Sequence, residues 1–261
     1  MPSARHELRT DSPTRFKDHF SGHADDYARF RPGYPAILFE WLAGQAPEQS
    51  LAWDVGTGNG QVARALAGRF EAVHATDASP QQLAQAEAPS NVRLMVEPAE
   101  RTSLADRSTD LVTVGQALHW FDLERFYGEV RRVLKSDGLL AAWTYQLNEI
   151  EPAIDAAVGS FYENVVGPYW PPERVHVERG YADLPFPFEA IEAPEFHLET
   201  AWTLQDYLGY VGTWSSVRRY RATVGEDPVA GLSDVLAELW GEATMPRRVR
   251  WPLALRVGRQ A

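Results

Sequence analysis

The residues whose types and spacing point most directly to chemistry are Asp54-Val55-Gly56-Thr57-Gly58-Asn59-Gly60, with Asp77 following twenty-three residues after Asp54. Glycines at alternate positions let a backbone turn tightly and let a ligand approach the main chain closely. In a doubly wound sheet, an acid at the end of the second strand faces the crevice beside the first turn. There its carboxylate can accept hydrogen bonds from both hydroxyls of a ribose. The combination predicts a site for a nucleoside-bearing ligand.

Two details discriminate between such ligands. A dinucleotide fingerprint needs a small residue three places after the second glycine, so that helix and strand can pack closely. Here that position is Gln61, and the third glycine is Gly60. Asp54 also places negative charge at the strand end, unfavourable beside a pyrophosphate and favourable beside an amino group and a sulfonium. Both details favour S-adenosyl-L-methionine over a nicotinamide dinucleotide.

The elements that must hold these residues can be read from hydrophobic rhythm. Leu51 to Val55 reads as a buried strand entering the glycine turn, followed by a helix from about Gly60 to Arg69. Glu71 to Thr76 reads as a second strand ending at Asp77, Pro80 to Glu87 as a helix, and Val92 to Val96 as a third strand. Leu111 to Gly115 is a fourth strand, Leu123 to Leu134 an amphipathic helix, and Gly138 to Tyr145 a fifth strand. Strands alternating with helices predict right-handed crossovers and a parallel sheet. Beyond Tyr145 helices are expected over Pro152 to Val166, Leu204 to Tyr220 and Leu232 to Trp240, with strands at Phe196 to Thr200 and Trp251 to Val257. The fold class expected is α/β, a Rossmann-like, mostly parallel, seven-stranded sheet with helical insertions in its C-terminal half. The chain is read as one domain over 1–261: an N-terminal arm and lid helices to residue 47, a cofactor-binding core over 48–146, and a helical substrate cap with late strands over 147–261.

Composition narrows the function classes. The 261 residues carry a formal net charge of −11, which repels nucleic acid phosphates unless a local basic stripe intervenes. The one dense basic cluster, Arg247, Arg248 and Arg250, reads as a solvated turn before the last strand. Cysteine is absent, which excludes disulfides and thiolate chemistry and fits a cytoplasmic location. No apolar run is long enough to span a bilayer and no leader pattern opens the chain, so an unexported protein is expected. Nine tryptophans, six of them after residue 140, form either core or pocket wall.

At this point the sequence resembles a known family. Asp54 to Gly60 resembles the first motif of the class I S-adenosylmethionine-dependent methyltransferases, and Asp77 their ribose-binding acid. Glu97-Pro98-Ala99-Glu100 looks like the segment bordering the adenine, with Ala99 and Glu100 at the matching positions. Gln116-Ala117-Leu118-His119-Trp120 resembles the stretch lining the methyl-donor end, and Arg132 to Gly138 the turn into the fifth strand. Ala24 to Pro35 is similar to the N-terminal lid of the trans-aconitate methyltransferase-like branch, which works on small organic acids. In that branch, residues matching Tyr27, Arg31 and Tyr34 close over the cofactor. The resemblance thus implies cofactor contacts from Tyr27, Arg31, Tyr34, Asp54, Gly56, Thr57, Gly58, Asn59, Gly60, Asp77, Ala99, Glu100, Gln116 and Trp120.

The chemistry implied is in-line methyl transfer to a small molecule, in which alignment of the reactants supplies much of the rate. An ionised carboxylate acceptor needs no base, whereas a hydroxyl or amine benefits from one. Acid, phenol and amine acceptors all stay open. His119 is the candidate catalytic base, and Tyr27 and Tyr34 can turn π faces to the sulfonium. No metal is expected, because Asp122 has no evident acidic partner. Base methylation of nucleic acid is disfavoured, since Gln116-Ala117-Leu118-His119 has no proline and Trp170-Pro171-Pro172 is misplaced for that loop. Two rivals remain: a non-catalytic nucleotide-binding scaffold and an NAD-dependent oxidoreductase.

Overall fold

The computed structural model describes residues 32–260. Five strands lie parallel in the order β3-β2-β1-β4-β5: β1 (Leu51–Val55), β2 (Ala72–Asp77), β3 (Val92–Val96), β4 (Thr109–Gly115) and β5 (Leu134–Tyr145). β8 (Arg247–Arg259) runs antiparallel to β5 and separates it from β6 (Glu189–Ile191). The strand order reverses between β1 and β4. That switch point leaves a crevice outside the carboxyl ends of these strands, where ligands bind in open α/β sheets.

Side-chain alternation along β5 divides the molecule into layers. Leu139, Ala141 and Trp143 pack into one core with Leu38, Phe39 and Leu42 of α1 (Ala36–Gln45) and Leu66 of α2 (Gln61–Ala67). Leu140 and Ala142 point the other way, into a core with Phe126 and Val130 of α4 (Leu123–Val133). Helix α4 starts where the Asp122 side chain accepts from the Arg125 N–H at 3.3 Å. Between α2 and α4, α3 (Pro80–Leu83) is a single short turn.

A third core lies under the cap. α5 (Pro152–Ser160), α7 (Leu204–Gly212), α8 (Ser215–Val224) and α9 (Val229–Trp240) bury Ile154, Tyr207, Val217, Trp240 and Trp251 together. α6 (Arg174–Glu178) lies apart from them and packs against the Leu118–Trp120 turn. Trp53, Trp143, Trp240 and Trp251 are wholly buried, so these four are core.

The structure amends several sequence expectations. The sheet has seven strands along its path and an eighth, β7 (His197–Trp202), which pairs with the first half of β8. The expected Pro80 to Glu87 helix ends at Leu83, because no side chain on it is buried and packing cannot extend it. The Pro152 to Val166 helix widens into a π turn over Phe161–Val165. The Leu204 to Tyr220 helix breaks at Trp214, where ψ is 138° and the ring is buried among the cap aromatics. Arg247, Arg248 and Arg250 are not in a turn but inside β8, opposite Trp202, Ala201 and Glu199 of β7. β6 was not expected; its three residues are exposed or half-buried and give no periodic signal.

Candidate active site

The glycine turn is held in left-handed geometry. Gly56, Gly58 and Gly60 have φ of 67°, 57° and 79°, a region that costs other residues about 1–2 kcal/mol. A Cβ on Gly56 would also lie 2.7 Å from the Ala117 Cβ, so here the turn and the segment after β4 touch backbone to side chain. The Thr57 N–H donates to the Thr76 carbonyl at 2.9 Å, binding the turn to β2. The Gly58 N–H donates to Asp77 at 2.9 Å and the Ser79 N–H at 2.8 Å. Asp77, half-buried at the end of β2, is thereby oriented at the glycine turn.

Asp54 is buried near the end of β1. It is 1% exposed, and its two oxygens accept from Thr57 Oγ1 at 2.5 Å and Thr113 Oγ1 at 2.9 Å. Its carboxylate therefore staples the turn to β4. Burial raises its pKa to about 6, against the lowering effect of hydrogen bonds from Thr57, Thr113 and the Ala63 N–H.

Along the same edge, Glu97 accepts from Thr102 Oγ1 at 2.7 Å and sits 3.0 Å from His74 Nε2. Burial alone would raise its pKa, but hydrogen bonds from Ser103, His74 and Thr102 bring it down to about 2. Ala99 is buried in the α4-side core, and Glu100 accepts from the Asp122 N–H at 2.9 Å, joining the β3 loop to the start of α4. Gln116 has φ 61°; its N–H donates to the Trp143 carbonyl at 2.9 Å, and its Oε1 accepts from Thr144 Oγ1 at 2.8 Å. Trp120 is half-buried, its ring 4.6 Å from that of His119. Tyr34 packs edge-on against Trp143 at 5.6 Å and Phe39 at 6.3 Å. Asn59 is half-buried, and its carbonyl accepts from Arg64 at 2.9 Å. Tyr27 and Arg31 lie outside the described residues.

A turn of left-handed glycines, an acid oriented against it and a strand order reversing beside both meet at the carboxyl ends of β1 and β2. Comparison with known proteins is consistent with this geometry. The methyltransferase domain family matches residues 53–142. Over 232 residues, covering 87% of this chain and 86% of the other, the sequence is 35% identical to a Dictyostelium discoideum protein described as a putative methyltransferase. The chain belongs to the class I S-adenosylmethionine-dependent methyltransferases. A solved structure, described as a putative type II methyltransferase from Anaeromyxobacter dehalogenans, superposes on this methyltransferase with a TM-score of 0.84. It has 46% sequence identity, over 88% of this chain and 98% of that one. An uncharacterised methyltransferase of Mycobacterium tuberculosis is 36% identical over 143 residues, half of this chain and 58% of the other. The oxidoreductase and the non-catalytic scaffold are thereby set aside, and S-adenosylmethionine is the cofactor.

The residues present fit that molecule: the three glycines leave main chain bare of side chains, and Asp77 brings a half-buried carboxylate to the crevice. At the β4 side, the methyltransferase places His119 Nδ1 2.8 Å from the hydroxyl of Tyr181. Burial, then the nearby charges of Arg174 and His176, lower the His119 pKa to about 3. Among the described residues, no group of three or more His, Asp or Glu gathers as a metal site would require, and no helix is long and apolar enough to cross a membrane.

Sequence reasoning missed several contributors. Thr113 had a readable signal, a polar residue set between the apolar, buried Leu111, Val112 and Val114. Tyr181 had none, lying 62 residues from the histidine it contacts.

Proposed function

We propose that this methyltransferase acts on a small organic acid, as the trans-aconitate methyltransferase-like branch does, and esterifies a carboxylate. The observation that carries the reading is the setting of His119, half-buried with Nδ1 engaged 2.8 Å from the Tyr181 hydroxyl. A base works best with a pKa near the working pH. With its pKa near 3, the His119 imidazole is poorly matched to removing a proton from a phenol or an ammonium, whose ordinary pKa values are about 10. A carboxylate is already ionised at neutral pH and gives up no proton when methylated.

S-adenosylmethionine supplies an activated methyl group on a sulfonium. The chain's own residues bind, orient and enclose. In this reading Asp77 accepts from the ribose hydroxyls, and Gly56, Thr57, Gly58, Asn59 and Gly60 present main chain to the amino-acid portion. Ala99 and Glu100 border the adenine, Gln116 and Trp120 line the methyl-donor end, and Tyr27, Arg31 and Tyr34 close over it. Asp54 acts as a positioning residue, since both of its oxygens hold threonine hydroxyls. His119 acts as a neutral polar wall rather than as the base expected from sequence.

The test is turnover with S-adenosylmethionine against matched carboxylic acids, phenols and amines, with products identified by mass spectrometry and mild alkaline hydrolysis. Alkali-labile methyl esters are expected. Stable ethers or N-methyl products alone would sink the assignment.

A further inference from the structure

We propose that Arg174 and the indole of Trp170 form an anion-binding corner of the cap that grips an anionic group of the methyl acceptor; this rests on the acid-acceptor reading above. The guanidinium of Arg174 lies 4.5 Å from the centroid of the Trp170 ring and 5.5 Å from that of Tyr162. Its Nε donates to the Tyr162 hydroxyl at 2.7 Å, and that hydroxyl stands 2.6 Å from Glu178 Oε1. A guanidinium can only donate, so Tyr162 must accept from Arg174 and pass its own proton to Glu178. Stacking fixes the plane of the fork, and the hydrogen bond fixes its Nε edge.

Both terminal nitrogens of that fork carry no hydrogen bond or ion pair within the described residues. Beside the guanidinium, Trp170 Nε1 is buried without an acceptor among the described residues. A buried donor left unmade costs about 1–3 kcal/mol, so the buried Trp170 N–H beside a half-buried, only partly engaged guanidinium calls for an explanation. The chain has 36 acidic residues against 25 basic ones, and Arg69, Arg132, Arg179, Arg221 and Arg247 all find a carboxylate. Arg174, like several other arginines, has no carboxylate partner among the described residues, but it alone of these is stacked on the Trp170 indole. Its position is also informative: α6, which it opens, packs on the Leu118–Trp120 turn, and its charge is felt at His119 and Tyr181. A planar, preorganised cation with an indole N–H beside it matches a carboxylate or phosphate. Gripping one carboxylate oxygen leaves the second to attack.

The experiment is calorimetric titration of the full chain, saturated with S-adenosylhomocysteine, with benzoate, fumarate and inorganic phosphate, and with benzamide as the neutral isostere of benzoate. At least one anion is expected to bind, benzoate is expected to bind more tightly than benzamide, and Arg174→Gln should weaken anion binding by at least about tenfold, the loss of one charge-assisted hydrogen bond. Affinity for S-adenosylhomocysteine should stay within about twofold of the original, because Arg174 is outside the cofactor residues. Should Arg174→Gln not fold, Arg174→Lys serves instead: it keeps the charge, loses the fork, and is expected to weaken anion binding by several fold. Equal anion affinity in the parent and folded variant, or no anion binding to the parent, would overturn the corner while leaving carboxylate turnover to stand on its own. Methyl transfer confined to acceptors lacking an anionic group would overturn both proposals.

Discussion

The hydroxyl of Tyr181 lies 2.8 Å from Nδ1 of His119, and the residue delivering it has a backbone φ of 63°. For a bulky side chain this left-handed conformation is an outlier, costing about 1–2 kcal/mol. The preceding Gly180 shares it at 58°, and a Cβ there would meet the Ala254 Cβ at 2.7 Å. Packing forces the turn, and the turn sets the phenol against the imidazole.

The state of His119 leads to a first prediction. Its pKa falls from 6.5 to about 3, so it favours the fold fully above pH 6.5, and that contribution is lost as pH drops from 6.5 toward 3. The imidazole resonances should therefore show no titration between pH 8 and 5 by NMR. His119→Gln should lose less stability than the parent on acidification through that window. An imidazole titrating near pH 6.5 would contradict this.

Asp54 has the opposite slope. Its folded pKa of about 6 exceeds the ordinary 3.8, so its contribution is complete below pH 3.8 and disappears as pH rises through 6. A displacement of this size corresponds to about 3 kcal/mol. Asp54→Asn should raise the melting temperature of the cofactor-free protein more at pH 8 than at pH 4. Affinity for the cationic cofactor should increase from pH 5 to 7.5 in the parent and stay flat in the variant, as read by calorimetry.

The glycine turn supplies a graded pair. Gly58→Ala meets only the Gln82 side-chain oxygen, at an ordinary contact distance of 3.9 Å, and carries the conformational cost of a positive φ, about 1–2 kcal/mol. Gly56→Ala adds a 2.7 Å collision with Ala117 and should cost clearly more. Chemical denaturation of the two variants ranks them; an inverted order would mean that the turn relaxes freely.

Asp77→Ala removes the proposed ribose acceptor together with the bonds from Gly58 and Ser79. Cofactor affinity should fall by about 1.5–3 kcal/mol per charged hydrogen bond lost. An unchanged dissociation constant would place the ribose elsewhere.

The half of the chain that carries the crevice was readable because its signals are local. Buried strands, a glycine turn and an acid at a strand end each depend on neighbours within a few residues, and β1 to β5 emerged close to expectation. Helix ends were harder: Leu83 stops α3 for lack of a buried face, which periodicity does not register. In the site, the tight glycine turn and the place of Asp77 at the end of β2 were legible from spacing, while the threonine hydroxyls bonded to Asp54 were not. Tyr181 was illegible because its partner, 62 residues away, is brought to it only by the fold.

β8 gives the cap its mechanical character. Its first half, Arg247 to Pro252, pairs with β7, and its second half, Leu253 to Arg259, pairs with β5, with β6 on the other side of Val257 to Arg259. One unbroken strand thus serves as the beam under both halves. Swinging the cap away as a rigid door would have to shear this ladder, so traffic of reactants through the cleft falls to segments that are not anchored to it.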